Sequence, residues 1–244
     1  MNPWALVNLR PLKVVAADGR AINISRAFTR EQIALMRELL DQWENEAVGE
    51  AALRLARQRF IALFGILTGV RLAEMASLRL GAFSRRGDQY WLTVLGKGLR
   101  QRDVPLPDSA MDELARYLTG RGLLALPQHC PPETPMVAAI PRDWQEIDPM
   151  QCLSTSRLGR IVKGLFQCVG DCQEGKDKAR FQKASTHWMR HTYGSRLLSS
   201  GATVKIVQEN MGHADIKTTS DYLHDDEDER WEAVQRMDRS VENR

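Results

Sequence analysis

The chain has 244 residues, 43% of them hydrophobic and 27% charged, with a formal net charge of +3; this builds one or two packed domains and excludes a disordered chain. No run of about 18 apolar residues occurs, and the N-terminal MNPWALVNLRPLKVVAADGR lacks the charged-then-apolar layout of a signal peptide, so a cytoplasmic protein without a membrane partner is expected. The four cysteines, Cys130, Cys152, Cys168 and Cys172, form neither a CxxC pair nor a zinc-spaced set with histidine, which points to reduced structural thiols and no metal.

Residues 1–26 carry weak periodicity and read as an arm or linker. In FTREQIALMRELLDQW, Thr29 is an N-cap with Gln32 three residues on, and Ile33, Met36, Leu39, Leu40 and Trp43 form one apolar stripe. AALRLARQRFIALFGILTG, apolar along much of its length, is a central core helix ending at Gly69, and RLAEMASLRL restarts a helix after it. QYWLTVLGKGLRQRDVPL has the layout of a β-hairpin with Gly-Lys-Gly at its tip. From DSAMDELARYL onward the pattern is mostly helical, interrupted by a Pro-rich surface loop at 127–149. TVKIVQENMG is a helix with Val204, Ile206 and Val207 on the core side, ended by Gly212. The fold class expected is mainly α with one small antiparallel sheet (α+β).

Basic residues gather at RLARQRF, SRRG, GKGLRQR, SRLGRIVK and KDKARFQK, while acid follows Tyr222. Sharing one face, the basic segments could follow a phosphate backbone; dispersed, they are ordinary solvated surface.

Four short constellations can carry chemistry. In STHWMRHTYGSRLL, His187 and Arg190 are three apart, so a helix capped by Thr186 puts them on one face, where a proton shuttle and a planar fork reach the same ligand. His191, adjacent to Arg190, points elsewhere and is expected to be a buried supporting residue. In TGVRLAEM, Arg71 follows a glycine break and Glu74 lies one turn on, placed to hold the guanidinium; a plain intrahelical ion pair is the alternative. In LGKGLRQR, Lys97 between two glycines can swing toward a ligand or simply face solvent. In NMGHADIKTTSDYLHDDEDE, His213 sits on the turn after Gly212, Asp215 can cap a following helix, and that helix carries Tyr222 either to the same pocket or to a half-buried surface position.

In this order, TGVRLAEMASL, VLGKGLRQRDVPL, HWMRHTYGSRLLSSG and MGHADIKTTSDYLH resemble the tyrosine recombinase (phage integrase) family over roughly residues 28 to 224. The resemblance implies a catalytic domain at 27–224 after a 1–26 arm. It implies that Arg71 and Arg190 clamp a scissile phosphate, Lys97 protonates the departing 5′ oxygen, His187 assists proton transfer, His213 hydrogen-bonds the phosphate, and Glu74 buttresses Arg71. Tyr222 would be the nucleophile of a site-specific recombinase that cuts and rejoins double-stranded DNA through a 3′-phosphotyrosyl link. Two arginines, a lysine and two histidines can neutralise the growing transition-state charge without a metal. The phosphotyrosyl bond conserves energy, so no cofactor is expected and the lack of a GxxxxGK[ST] loop fits.

The resemblance further implies a homo-tetramer on DNA in which residues 225–244, with the stripe Trp231, Val234, Met237 and Val241, dock on a neighbouring protomer, with accessory DNA-bending factors as further partners. Packing of that tail on its own domain is the alternative. Only about 26 residues precede the pattern, whereas the family usually has a helical DNA-clamping domain of roughly a hundred, so the chain is expected to be either a catalytic fragment or a short member. Two other readings keep the scaffold: a binding or regulatory protein without chemistry, and a topoisomerase-like relaxing enzyme. An Arg190→Ala change is expected to abolish cleavage while leaving folding nearly intact.

Overall fold

In the computed structural model, residues 26–96, 100–140 and 150–212 are described in full, together with the backbone of 13–15 and 21–23. Within the segment read as an arm, strands β1 (Lys13–Val15) and β2 (Ala21–Asn23) pair antiparallel with Lys13 opposite Asn23. This hairpin belongs to a different compact unit from residues 24–212.

The larger unit begins at helix α1 (Arg30–Glu46). Thr29 Oγ1 accepts from the Gln32 backbone at 3.2 Å and Gln32 Oε1 accepts from the Thr29 backbone at 3.1 Å, the reciprocal capping box expected from the sequence. Ile33, Met36 and Leu40 are buried, with Leu39 and Trp43 half-buried beside them. Helix α2 (Gly49–Thr68) is buried on all sides from Phe60 to Ile66, as its unbroken apolar run requires, and Gly69 ends it at φ +65°. Its Arg59 is the exception to a basic surface: the Nε donates to Glu113 at 2.8 Å and the Nη1 to Asp41 at 2.6 Å, so this member of RLARQRF serves the core.

After α3 (Leu72–Ser77) and a 3-10 turn at Leu80–Ala82 come strands β3 (Phe83–Arg86), β4 (Gln89–Leu95) and β5 (Gln101–Leu106), antiparallel in that order. Leu92, Val94, Val104 and Leu106 alternate onto the buried face. The hairpin of the sequence reading is β4–β5; β3 is an added edge strand whose basic FSRR hides its pairing, because Arg86 binds Asp103 and lies over the Trp91 ring at 4.9 Å. The protein is therefore mostly helical with a three-stranded antiparallel sheet.

Helix α4 (Asp108–Gly120) packs on α2, with Tyr117 and Phe60 stacked at 4.9 Å between ring centroids. The Pro-rich stretch after it is not simply a surface loop. The backbone of Leu80 donates to Thr134 O and that of Met136 to Leu78 O, each at 2.9 Å, and Met136 and Val137 are buried. The apolar run MVAAI explains this: five residues that lose water contact on tucking in outweigh the prolines around them. Residues 141–149 lie outside the described residues.

Helices α5 (Thr155–Asp171), α6 (Gly175–Lys183) and α7 (Thr186–Ser199) follow. Phe28 ties them to the start of the unit, meeting Phe166 edge-on at 5.0 Å and Phe181 stacked at 5.1 Å while its N–H donates to Thr192 Oγ1 at 2.9 Å. Each such ring pair adds about 0.5–1.5 kcal/mol beyond its buried area. Ser185, not Thr186, holds the N-cap position of α7, and its side chain makes no capping bond.

Helix α8 (Val204–Met211) is capped by Thr203, whose Oγ1 accepts from Ile206 N at 3.3 Å, and stopped by Gly212 at φ +66°. Its buried face is Val207, Gln208 and Met211; Ile206 is 45% exposed and Val204 half-buried, against the expected inward trio. A two-turn helix buries a single i, i+4 stripe, and Ile206 stands about 100° off it.

Candidate active site

The site forms where α3, β5, α7 and the end of α8 meet. Gly69 adopts a left-handed conformation that turns the chain out of α2, and a Cβ there would stand 2.3 Å from a Tyr193 ring carbon. Two residues later Arg71 occupies the N-cap of α3. Its backbone N–H donates to Glu74 Oε2 at 2.8 Å, its Nη1 to Glu74 Oε1 at 2.9 Å and its Nη2 to Gly212 O at 3.2 Å. Glu74 thus holds both the backbone and the fork of Arg71, as the i, i+3 spacing predicts.

Glu74 also carries a second arginine that sequence reasoning missed. Arg102 Nη1 and Nη2 donate to Glu74 Oε1 and Oε2, each at 2.8 Å, and Arg102 Nε donates to Asn210 O at 3.0 Å. A signal was available: Arg102, Val104 and Leu106 share one face of β5, so the arginine lies on the core side of its strand. Glu74 is buried, which by itself raises its pKa, but the hydrogen bonds and charge of Arg102, joined by the bonds from Arg71, outweigh burial and hold the carboxyl below its ordinary value.

Arg190 arrives from α7 and is 8% exposed. Its Nη1 donates to Gly69 O at 2.6 Å and its Nη2 to Met211 O. The carbonyls of Asn210, Met211 and Gly212 therefore each accept from a different arginine: Arg102, Arg190 and Arg71. The last carbonyls of a helix have no intrahelical donor and carry the negative end of its dipole. Three guanidiniums drawn from elements far apart in sequence collect there, with one carboxylate, Glu74, among the described residues.

Two further contacts lock this end of α8. A Cβ on Gly212 would lie 2.8 Å from Arg102 Nη1, so only glycine admits the close approach. Asn210 Nδ2 donates to the Tyr193 hydroxyl at 3.0 Å, and burial pushes the Tyr193 phenol up, which keeps it protonated and a poor nucleophile.

The structure thus brings together Arg71, Glu74 and Arg190, and adds Arg102. His187 is exposed on the first turn of α7, one turn before the buried Arg190, and His191 is half-buried. Lys97, His213 and Tyr222 lie outside the described residues. Gly96 N–H donates to Arg100 O at 2.8 Å at the two ends of the segment holding Lys97, and Gly212 immediately precedes His213. No group of three or more His, Cys, Asp or Glu among the described residues is placed to hold a metal ion, and no described helix is long and apolar enough to cross a membrane.

The model of the phage integrase family matches residues 36–229. The chain is 29% identical over 230 residues to tyrosine recombinase XerD of Agrobacterium fabrum (strain C58 / ATCC 33970), covering 92% of this chain and 66% of the relative. It is 30% identical over 182 residues to tyrosine recombinase XerC of Thermodesulfovibrio yellowstonii (strain ATCC 51303 / DSM 11347 / YP87), covering 74% of this chain and 54% of the relative. The chain thus spans between about half and two thirds of the length of these relatives. Among solved structures, XerH site-specific recombinase bound to difH substrate, in a pre-cleavage complex, superposes with a TM-score of 0.59 at 21% identity, covering 94% of this chain and 55% of that one. XerA recombinase does so at 0.53 and 17%, covering 86% and 65%. The fold is theirs.

Proposed function

The chain belongs to the phage integrase family, and on that premise we propose that it is a site-specific recombinase that cuts and rejoins double-stranded DNA. The observation that carries this is the arrival of Arg71 and Arg190 at adjacent carbonyls, Gly212 and Met211, directly before His213. Two forks aimed at one spot from different elements make a receptor for a doubly contacted anion such as a phosphodiester.

In this reading, residues 27–224 are the catalytic domain. Arg71 and Arg190 hold the scissile phosphate, with Glu74 fixing Arg71. The Tyr222 oxygen attacks phosphorus and loses its proton with help from His187, the bond to the 5′ oxygen breaks, and Lys97 protonates that oxygen as it leaves. His213 donates to a phosphate oxygen. The 3′-phosphotyrosyl bond conserves the energy of the diester, so attack by a 5′ hydroxyl from another strand reverses the step. Preorganised donors suit this chemistry because charge grows on the phosphate in the transition state, and removing one such donor typically costs about 10²–10³ in rate.

XerH, of the same fold, was solved with its difH substrate; by extension DNA is the partner here. We place a tetramer on that DNA, with the tail 225–244 docking on a neighbour and DNA-bending proteins assisting. The acidic run DDEDE after Tyr222 supports a tail that leaves the phosphate surface.

The test is a nicked suicide substrate that loses a short fragment on cleavage and traps the covalent adduct. The natural chain should form the adduct and Tyr222→Phe should not. An adduct that survives the substitution removes the nucleophile, and no adduct with DNA that is nonetheless bound leaves a binding protein without chemistry.

A further inference from the structure

A second basic site lies at the start of α7, apart from the arginine cluster. A cavity of about 480 Å³ opens between the segment before α1, the last turns of α6 and the start of α7; among the described residues it is lined by Arg26, Ala179, Arg180, Lys183, Ser185 and Trp188. Three cations and no carboxylate line it. Arg26 and Lys183 are exposed and form no ion pair among the described residues. Arg180 is held in place: its Nη2 donates to Ala27 O and its Cζ lies 5.2 Å from the Trp188 ring centroid. Its position is therefore set before any ligand arrives, which lowers the ordering cost of binding.

The wall supplied by α7 adds donors of its own. The first N–H groups of this 14-residue helix carry the positive end of its dipole, and the Ser185 hydroxyl that would ordinarily satisfy one of them makes no capping bond. A fixed guanidinium, two exposed cations and helix amides all favour an anion with several acceptor oxygens. The cavity-lining Trp188 and the cluster's Arg190 are two positions apart on α7 and so point to opposite sides of the helix. The cavity and the arginine cluster therefore hold separate anions.

We infer that this cavity binds a second backbone phosphate of the DNA, separate from the one held by Arg71 and Arg190. The inference rests on the reading of the chain as a DNA-acting protein. It assigns Arg26, Arg180 and Lys183 to anchoring the strand, outside the chemistry, so the contact contributes affinity and register without sequence preference.

The test compares two exposed double variants with the same charge change. Arg26→Ala with Lys183→Ala removes two cations of the cavity; Lys176→Ala with Lys178→Ala removes two from α6 outside it. Duplex affinity is measured by fluorescence anisotropy between 50 and 300 mM salt, and adduct yield on the suicide substrate is measured at saturating DNA. The cavity pair should lower the slope of log affinity against log salt by about 1 and weaken binding about tenfold near 0.1 M salt, alike on every duplex. The α6 pair should change the slope less and leave adduct yield at saturation at the natural level.

Equal effects of the two pairs, or none from the cavity pair, overturn the inference while leaving the recombinase reading intact if adduct still forms. Failure of the natural chain to bind any duplex removes both. Calorimetry with deoxyadenosine monophosphate separates the remaining source of this chemistry: micromolar binding lost in the cavity pair, with DNA affinity unchanged, would assign the cavity to a free nucleotide and overturn the anchoring role.

Discussion

Arg102 and Glu74 meet through two parallel hydrogen bonds, Nη1 to Oε1 and Nη2 to Oε2, both at 2.8 Å, while the remaining Nε of the same fork donates to Asn210 O at 3.0 Å. One side chain therefore ties β5, α3 and α8 together around the carboxylate that also orients Arg71. A lysine has a single ammonium on a flexible stem and cannot hold a carboxylate at two points and a carbonyl at a third.

Arg102→Lys should therefore cost on the order of 1.5–3 kcal/mol in urea unfolding, the range for hydrogen bonds to charged groups. It should also lower the rate of adduct formation under conditions where the variant is fully folded, because Arg71 loses its fixed partner geometry. Natural stability and natural adduct rate together in Arg102→Lys would show that the pairing only fills space.

Acid should weaken this corner of the fold. The Glu74 carboxyl has its folded-state pKa held below the ordinary 4.5. Its contribution is thus fully present above about 4.5, the value in the unfolded chain, and is lost as pH falls through the folded pKa. Glu74→Gln should remove that part of the acid dependence and cost on the order of 3–5 kcal/mol at neutral pH, as for a buried pair left with one partner. Urea midpoints from pH 7 down to pH 3 for both proteins provide the check. Parallel curves through that window would mean that other carboxylates set the acid limit.

Elements with a local physical cause were legible in the sequence. Thr29 and Gln32 form their capping box, and Gly69 and Gly212 end their helices, because each depends on residues within a few positions. The pairing of Arg71 with Glu74 was legible for the same reason. What was missed depends on partners remote in the chain. Arg102 reads as one more basic residue near a hairpin tip until Glu74 and Asn210 are brought to it. Arg59 reads as surface charge until Glu113 covers it. Met136 and Val137 read as part of a Pro-rich loop until the Leu78–Leu80 backbone accepts and donates alongside them.

Two glycines in the same backbone region should respond unequally to alanine. Gly49 at φ +58° has nothing within 4 Å of a Cβ, whereas at Gly69, φ +65°, a Cβ would stand 2.3 Å from the Tyr193 ring. Gly49→Ala should cost only the left-handed backbone penalty, about 1–2 kcal/mol. Gly69→Ala adds displacement of the partly buried Tyr193 ring, whose hydroxyl accepts from Asn210, so it should cost at least about 1 kcal/mol more, in the range of overpacking. It should also reduce adduct formation, since Gly69 O is a ligand of Arg190. Thermal melts of the two variants side by side decide this, and equal losses would remove the steric part.

Arg190→Ala is expected to fail in two measurable ways, and the structure revises the sequence expectation that folding is nearly spared. The side chain is 8% exposed and donates to Gly69 O, at the end of α2, and to Met211 O, at the end of α8. Each buried carbonyl left without a donor costs on the order of 1–3 kcal/mol, so a clear drop in the urea midpoint should appear. Separately, loss of one preorganised donor to the phosphate should lower cleavage by roughly 10²–10³-fold. Measuring adduct formation at low temperature, where circular dichroism shows the variant folded, separates the two effects. Cleavage that recovers fully once folding is restored would confine Arg190 to joining α7 with α2 and α8; cleavage that stays low in a folded variant assigns it to the phosphate as well.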